Sequence, residues 1–468
     1  MKNWKTLTTA LLISTLFLAG CGDEGTVPDP DDPKTEAPAL TKKVNLFIKE
    51  VMNDIYLWYD EVPNIDYKYE FDSKTYFNKL IYKDDKWSDI TDDVEALENS
   101  YQGTEKTFGW SLTFGLFSDT ENVFAIVQYV YPNSPAANAG VKRGDLVIYM
   151  NGSDITQSNY TDLLYADDLS VTLATYNEST GITLGATVEM IALELSLNPV
   201  LKTNIIEYEG HKIGYLFYSQ YVDGFDTALD TALESMVSQG MTDLVLDLRY
   251  NRGGTNGAAQ HLCSSLAPLN IVNSESTFYT FLFNDKYQSY NYGVPFDKDV
   301  PVKLGLDNIH ILTGNNTASA SELTITGLRA YMEVTLVGDT TYGKFYSATL
   351  IKPETWYDNN TQYYQEIANW AVQPIFARFA NSQGVTDFKD GFPPDIDAYD
   401  DIFNTLPLGD MNDPLLAAAI EDITGSTVIS AVKSARKPPF EYKIIDQGFS
   451  RFDKNKEVLH IDINDINF

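Results

Sequence analysis

Between about residue 205 and residue 400, short apolar runs of strand character alternate with runs of helical character. This alternation confines the chain to few architectures. Lys212 to Tyr218 reads as a strand, Asp226 to Val237 as a helix, Leu244 to Arg249 as a strand and Asn256 to Leu266 as a helix. The same rhythm continues through a strand at Ile309 to Thr313, a helix at Ser319 to Met332 and a strand at Val334 to Gly338. Units of this kind stack their helices against a mostly parallel sheet. With 468 residues, the chain is long enough for further units. The expectation is a multidomain α+β and α/β protein whose βα-type domain runs over 205–425.

Two smaller units precede that domain. Over 41–98 the apolar residues Val44, Phe47, Ile48, Val51, Met52, Ile55, Tyr56 and Tyr59 recur at steps of three and four. That spacing lays one broad stripe along a helix. A second helix is expected around Tyr76 to Tyr82, so this unit reads as a small helical domain in need of a partner surface. Over 100–195 the period shifts to that of strands, as in Val123 to Val130. The stretch Ser134 to Asp145 (SPAANAGVKRGD) begins a short helix with Ser-Pro, stops it with glycine and turns at Gly-Asp into the strand Leu146 to Met150. Asn151-Gly152 then makes a tight turn. This order resembles a PDZ domain. Its carboxylate-binding loop would be Phe108-Gly109-Trp110-Ser111-Leu112, with Gly115-Leu116-Phe117 as a competing register. After a helical run at Leu415 to Ile423, residues 426–468 read as a polar C-terminal tail.

The N-terminus carries a different message. Lys2 and Lys5 precede a short apolar stretch, Leu7 to Phe17, and then Leu18-Ala19-Gly20-Cys21. The stretch is too short to span a bilayer and has the form of a signal peptide, 1–20. Its end resembles a bacterial lipobox, which implies lipidation of Cys21. Residues 21–40, rich in Pro, Asp and Glu, read as a flexible tether. The expected location is the bacterial cell envelope, lipid-anchored to the outer membrane, on its periplasmic or surface face. Gly22 in place of an aspartate after the cysteine disfavours retention at the inner membrane. A formal charge of −33 removes nucleic acid from the partners, because a phosphate binder needs a basic face. Cys263 is the one other cysteine. It can form no disulfide within a mature chain linked to lipid through Cys21, and reads as a small buried apolar residue.

The chemistry concentrates in TGNNTASASELT, residues 313–324, and in DTTYGKFY, which holds Lys344. A serine hydroxyl needs a base to take its proton. His211, His261, His310 and His460 are the only histidines; they read as a turn, a helix, a strand and a tail residue, and no GxSxG or HExxH pattern accompanies them. Lysine remains. It serves as a base only when neutral, and burial lowers its pKa toward roughly 7–8. Ser319 also reads as the N-cap of a capping box with Glu322. The unpaired N–H groups at such a helix start can steady an oxyanion. The segment Asp247 to Gly254 (DLRYNRGG) ends a strand in a double glycine, which lets its backbone approach a substrate closely.

These three segments, behind a PDZ-like region, resemble the C-terminal processing peptidases, family S41 of the serine proteases, over roughly 41–425. The resemblance implies Ser319 as nucleophile from TASASE, Lys344 as base from TYGK, and Gly253 with Ala320 as oxyanion donors. Gly391-Phe392-Pro393-Pro394-Asp395 matches a further stretch near the domain end. The implied activity is endopeptidase cleavage of protein substrates by acyl transfer, with no metal or organic cofactor. Substrate C-termini would be captured by the PDZ-like unit at Gly109, Trp110, Ser111 and Leu112. One departure stands out: Ala348 replaces the glutamine that orients the lysine in many members, which leaves Ser347 or Gln373 to do so, or packing alone. That departure also keeps open a catalytically weak or inactive peptide-binding lipoprotein.

Overall fold

The computed structural model describes residues 35–118, 120–177, 181–357, 361–428, 440–448, 455 and 459–461. The signal stretch, Cys21 and the tether up to residue 34 lie outside the described residues.

A six-stranded sheet forms the centre. Its order is Val200–Tyr208, His211–Tyr218, Asp243–Asp247, Asn308–Thr313, Glu333–Gly338 and Ile396–Asp397. The first two strands make an antiparallel hairpin, and every later pairing is parallel. Alternation along each strand sends side chains to two faces. Leu244, Leu246, Ile309 and Ile311 join the helices Asp226–Ser238, Asn256–Leu266 and Ala320–Arg329 in one apolar cluster. Val245, Leu312 and Val337 meet Leu415, Leu416 and Ile420 of the helix Pro414–Thr424 in a second. Two elements are shorter than the sequence suggests. The strand expected to reach Arg249 ends at Asp247, and the helix expected from Ser319 starts at Ala320, with Ser319 as its cap.

The N-terminal helix is Ala39–Asp54, so it begins inside the stretch read as tether. Val44, Phe47, Ile48, Val51 and Met52 lie on its buried face. Ile55 is its C-cap, and Tyr56 and Tyr59 lie beyond its end. Tyr56 turns inward instead, its hydroxyl donating to Asp85 Oδ2 at 2.7 Å. The second helix is Ser73–Leu80. The partner surface is a five-stranded sheet in the order Gly293–Pro295, Thr277–Phe283, Ile375–Asn381, Tyr346–Thr349 and Leu459–Ile461. Ala348 and Ile375 of that sheet share a core with Phe47, Val51 and Tyr76.

A seven-stranded sheet has the order Tyr442–Gly448, Trp110–Phe117, Asn122–Val130, Ser153–Thr156, Leu146–Met150, Asp168–Asn177 and Gly181–Ile191, and two short strand pairs, Asp89–Thr91 with Ala371–Gln373 and Thr104–Thr107 with Leu193–Ser196, complete the described strands. The tail is thus more than a polar extension. Tyr442–Gly448 closes one edge of this sheet, and Leu459–Ile461 closes an edge of the five-stranded sheet. A strand of three residues such as Leu459–Ile461 carries almost no signal of its own; an existing edge supplies the hydrogen-bond partners that make it a strand.

Arg249 ties the end of the central sheet to the helix behind it. Its guanidinium donates to Asp413 Oδ2 at 3.0 Å through Nη1 and to Oδ1 at 2.8 Å through Nη2. Its Nε reaches Asp247 Oδ1 at 3.0 Å. Asp413 in turn caps Pro414–Thr424, accepting from the Leu415 and Leu416 amides. All three charged side chains are buried. Replacing one partner of such a network leaves the others uncompensated in a low dielectric. Arg249→Met is therefore expected to destabilise the fold by about 3–5 kcal/mol, read as a fall in the denaturant midpoint against the parent chain.

Candidate active site

Glu322 sits in the first turn of the helix Ala320–Arg329 and is fully buried. Its carboxylate gathers four donors. Oε2 accepts from the Ser319 amide at 2.9 Å and from the Lys344 amide at 2.7 Å. Oε1 accepts from the Thr341 hydroxyl at 2.7 Å and from the Gly343 amide at 2.6 Å. One side chain therefore fixes the backbones of residues 319 and 344 against each other. Burial pushes this carboxyl up to about 7, against the pull of the Thr341 hydroxyl and of the Lys344, Gly343 and Ser319 amides.

Ser319 is held at φ 57° and ψ −111°, outside the regions that L-residues favour. Its hydroxyl is over the first turn in the capping-box position, yet makes no hydrogen bond of proper geometry among the described residues and is buried. Both halves of the box are in place, but only the Glu322-to-amide half is a hydrogen bond of good geometry, so the hydroxyl is weakly held. Lys344 is fully buried. Its Nζ lies 5.0 Å from the centre of the Trp87 ring, and that ring meets the Tyr346 ring at 5.1 Å between centroids. An ammonium in such a place loses its hydration, the condition a lysine base requires. The Gly391–Asp395 stretch braces the loop in front of it. The Thr341 amide donates to the Phe392 carbonyl at 3.0 Å, and the Phe392 amide to the Thr341 hydroxyl at 2.8 Å.

Gly253 meets this arrangement from the other side. A β-carbon there would stand 2.8 Å from Ser319 Cβ and 3.1 Å from the Ala320 nitrogen. At Gly254, with φ 139°, it would stand 1.8 Å from the Tyr221 carbonyl oxygen. The double glycine is thus demanded by close approach of backbone to backbone. The Gly253 amide donates to Asn251 Oδ1 at 2.9 Å. It reaches a substrate oxyanion only by sharing or exchanging that bond. The Asn251 carbonyl accepts from the Ala318 amide and the Ser321 hydroxyl, and so stitches the glycine loop to the serine loop.

Ser319, Ala320, Lys344 and Gly253 therefore come together. Gly109, Trp110, Ser111 and Leu112 lie elsewhere, at the start of a strand of the seven-stranded sheet. Gly109 is a turn residue with φ 74°, while Trp110, Ser111 and Leu112 are already paired within the sheet. Gly115, Leu116 and Phe117 lie inside that strand rather than in a turn. Of the two groups considered as orienters of Lys344, Gln373 is committed elsewhere. Its Nε2 donates to the Tyr101 hydroxyl at 2.6 Å, and its Oε1 accepts from Asn455 at 2.7 Å. The buried Ser347 hydroxyl has no hydrogen-bond partner among the described residues and so has capacity to spare. Ala348 is packed against the N-terminal helices.

His211, His261 and His310 each face a carboxylate, on Asp243, Asp230 and Asp422, at 2.8–2.9 Å. The His460 ring stacks on Tyr101 with centroids 3.7 Å apart. Cys263 is buried, its thiol pushed up to about 12 by desolvation, and it donates weakly to the Thr324 hydroxyl.

Residues 212–398 match the description of Peptidase family S41, and residues 43–88 match the Peptidase S41 N-terminal domain. A crystal structure from Bacteroides fragilis assigned as an S41 protease superimposes with a TM-score of 0.66 at 26% identity, over 81% of this chain and 97% of that one. Over these two segments the chain is similar to peptidase family S41. Among curated S41 relatives, the carboxyl-terminal-processing protease of a Picosynechococcus species is 28% identical over 220 residues, 46% of this chain. The corresponding protease of a Synechocystis species is 25% identical over 319 residues, 65% of this chain. The chain spans 49% and 68% of those two relatives' own lengths.

The sequence marked Glu322 only as a helix cap, and Trp87 not at all. A glutamate inside an apolar helix turn signals that something must satisfy it, but the donors 19 to 22 residues away appear only on folding. Glu322→Gln turns an NH2 toward amides that are themselves donors. It is expected to cost about 2–4 kcal/mol of stability and to lower the turnover of the site about 10²-fold by loosening its geometry. The sign of its pH effect follows from linkage. Because the folded carboxyl titrates above its unfolded value, its contribution to stability is fully present below the unfolded pKa. That contribution is lost as pH rises through about 7. Melting curves over that range should fall more steeply for the parent chain than for Glu322→Gln.

Proposed function

We propose that the chain is a serine endopeptidase that cleaves proteins by acyl transfer, with Ser319 as nucleophile and neutral Lys344 as general base. The observation that carries this reading is the Glu322 carboxylate, which holds the amides of both residues within a buried, glycine-lined site. Lys344 takes the Ser319 proton as the hydroxyl attacks the scissile carbonyl. The amides of Ala320 and of Gly253, once exchanged from Asn251, take the oxyanion. Lys344 then protonates the leaving amine, and water releases the acyl group by the reverse sequence.

The relatives named as carboxyl-terminal-processing proteases support a protein substrate cut toward its C-terminus. The PDZ-like reading of 100–195 is supported by the Gly109 turn leading into the strand Trp110–Phe117, which already takes an added strand, Tyr442–Gly448, by backbone pairing. Cleavage of casein by the parent chain, with a loss of about 10³-fold or more in Ser319→Ala and in Lys344→Ala, is the expected result. Equal cleavage by all three proteins rules the Ser–Lys pair out.

We place the protein in the bacterial envelope, held by lipid on Cys21. That follows from the charged, apolar and cysteine-ended N-terminus. Cys21→Ala is expected to move the protein from the membrane fraction to the soluble envelope fraction, and protease shaving of intact cells distinguishes an outward-facing from a periplasmic protein.

A further inference from the structure

The two tail strands lie where a substrate would be expected to lie. Leu459–Ile461 runs between the two segments that carry the chemistry. On one side it pairs in parallel with Tyr346–Thr349, the strand that follows Lys344, in the register Ser347 to Leu459, Ala348 to His460 and Thr349 to Ile461. On the other it bridges Thr255, and the His460 amide donates to the Gly254 carbonyl at 3.0 Å, one residue past Gly253. Leu459 and Ile461 are fully buried and join the apolar cluster of Ala258, Leu262 and Phe345. His460 faces the other way, onto Tyr101. The lane is not closed core, because a cavity of about 630 Å³ borders it at Tyr101, Asn256, Lys352 and His460.

The upstream strand makes the same kind of contact at the other site. Tyr442–Gly448 pairs antiparallel with Trp110–Phe117, its Gly448 opposite Leu112, so the tail runs toward the Gly109 turn. Ile445 packs into the apolar cluster that includes Tyr160 and Leu163 of the helix Tyr160–Leu164. The Tyr160 hydroxyl donates to Asp446 at 2.9 Å. Arg252, next to Gly253, donates to the Gln447 carbonyl.

We propose that Tyr442–Gly448 and Leu459–Ile461 occupy this peptidase's own peptide-binding path as an internal competitor. Substrates then enter the same two lanes as extended segments with apolar residues at alternate positions. This rests on the serine-peptidase reading above. Backbone pairing supplies the affinity in both lanes, and the pockets holding Leu459 and Ile461 supply the side-chain preference. A substrate has to displace the tail, so its apparent affinity is reduced by the fraction of molecules whose lane is open.

The test loosens the tail in the full chain. His460→Pro removes the amide that bonds Gly254. Against the parent it is expected to raise kcat/KM on an unstructured protein such as casein about tenfold, through KM, corresponding to a lane open in roughly one parent molecule in ten. A synthetic peptide of residues 440–461 is expected to inhibit that variant competitively. Should His460→Pro fail to fold, Ile445→Lys, at a half-buried position, carries the same comparison. A folded variant no faster than the parent, or a peptide that does not compete, overturns the proposal. If no form cleaves casein, the serine-peptidase reading falls. Binding of the labelled peptide to the Ser319→Ala, His460→Pro double variant then decides the tail proposal by itself, and absence of binding overturns it.

Discussion

The fully buried Glu322 carboxylate receives four hydrogen bonds, and the geometry of the site depends on it. A buried carboxylate with fewer donors would be too costly to keep, and four donors with no acceptor would be worse. Each side thus requires the other. The serine loop, the turn before Lys344 and the Thr341 hydroxyl are drawn to one point. The same contact relieves the Ser319 hydroxyl of the Ser319 amide, which Glu322 satisfies, and leaves that hydroxyl over the first turn without a hydrogen bond of good geometry among the described residues.

Around that point the fold works by sharing. Arg249 bonds Asp247 at the end of a central strand and Asp413 at the start of the outer helix, which sets where the chain leaves the sheet. Asn251 then spans the gap between the glycine loop and the serine loop. Gly253 and Gly254 permit contacts that any side chain would block. The five-stranded sheet brings Lys344 in from a different layer and presents its far face to the N-terminal helices, which explains why those helices carry so broad an apolar stripe. The site is therefore a junction of loops, each anchored on a rigid element, as precise positioning demands.

Much of this was readable in the residues. The strands and helices of the central sheet between Lys212 and Gly338 announced themselves through period and length, with errors at ends such as Asp247 and Ala320, where a cap or a charge pair decides the boundary; the strand Thr277–Phe283, which belongs to the five-stranded sheet, went unread. Ser319, Lys344 and the double glycine stood out as residue types in a telling order. Gln373 and the tail did not read correctly. Gln373 looked available to the lysine but is bound to Tyr101 and Asn455, and no local signal reports a partner 272 positions away. The tail looked polar, because Leu459 and Ile461 are two apolar residues with no periodic company.

What the sequence determined by itself was the set of local preferences: which stretches are strands or helices, which turns need glycine, and which hydroxyl and amine are candidates for chemistry. Those follow from covalent structure and short-range periodicity. The tertiary structure alone decided which amides meet Glu322, that Arg249 closes onto Asp413, and that Leu459–Ile461 lies between the lysine strand and the glycine loop. The reason is physical. A hydrogen bond between distant segments, or a strand formed on a borrowed edge, has its energy in the partner, and the partner is defined only once the chain has folded.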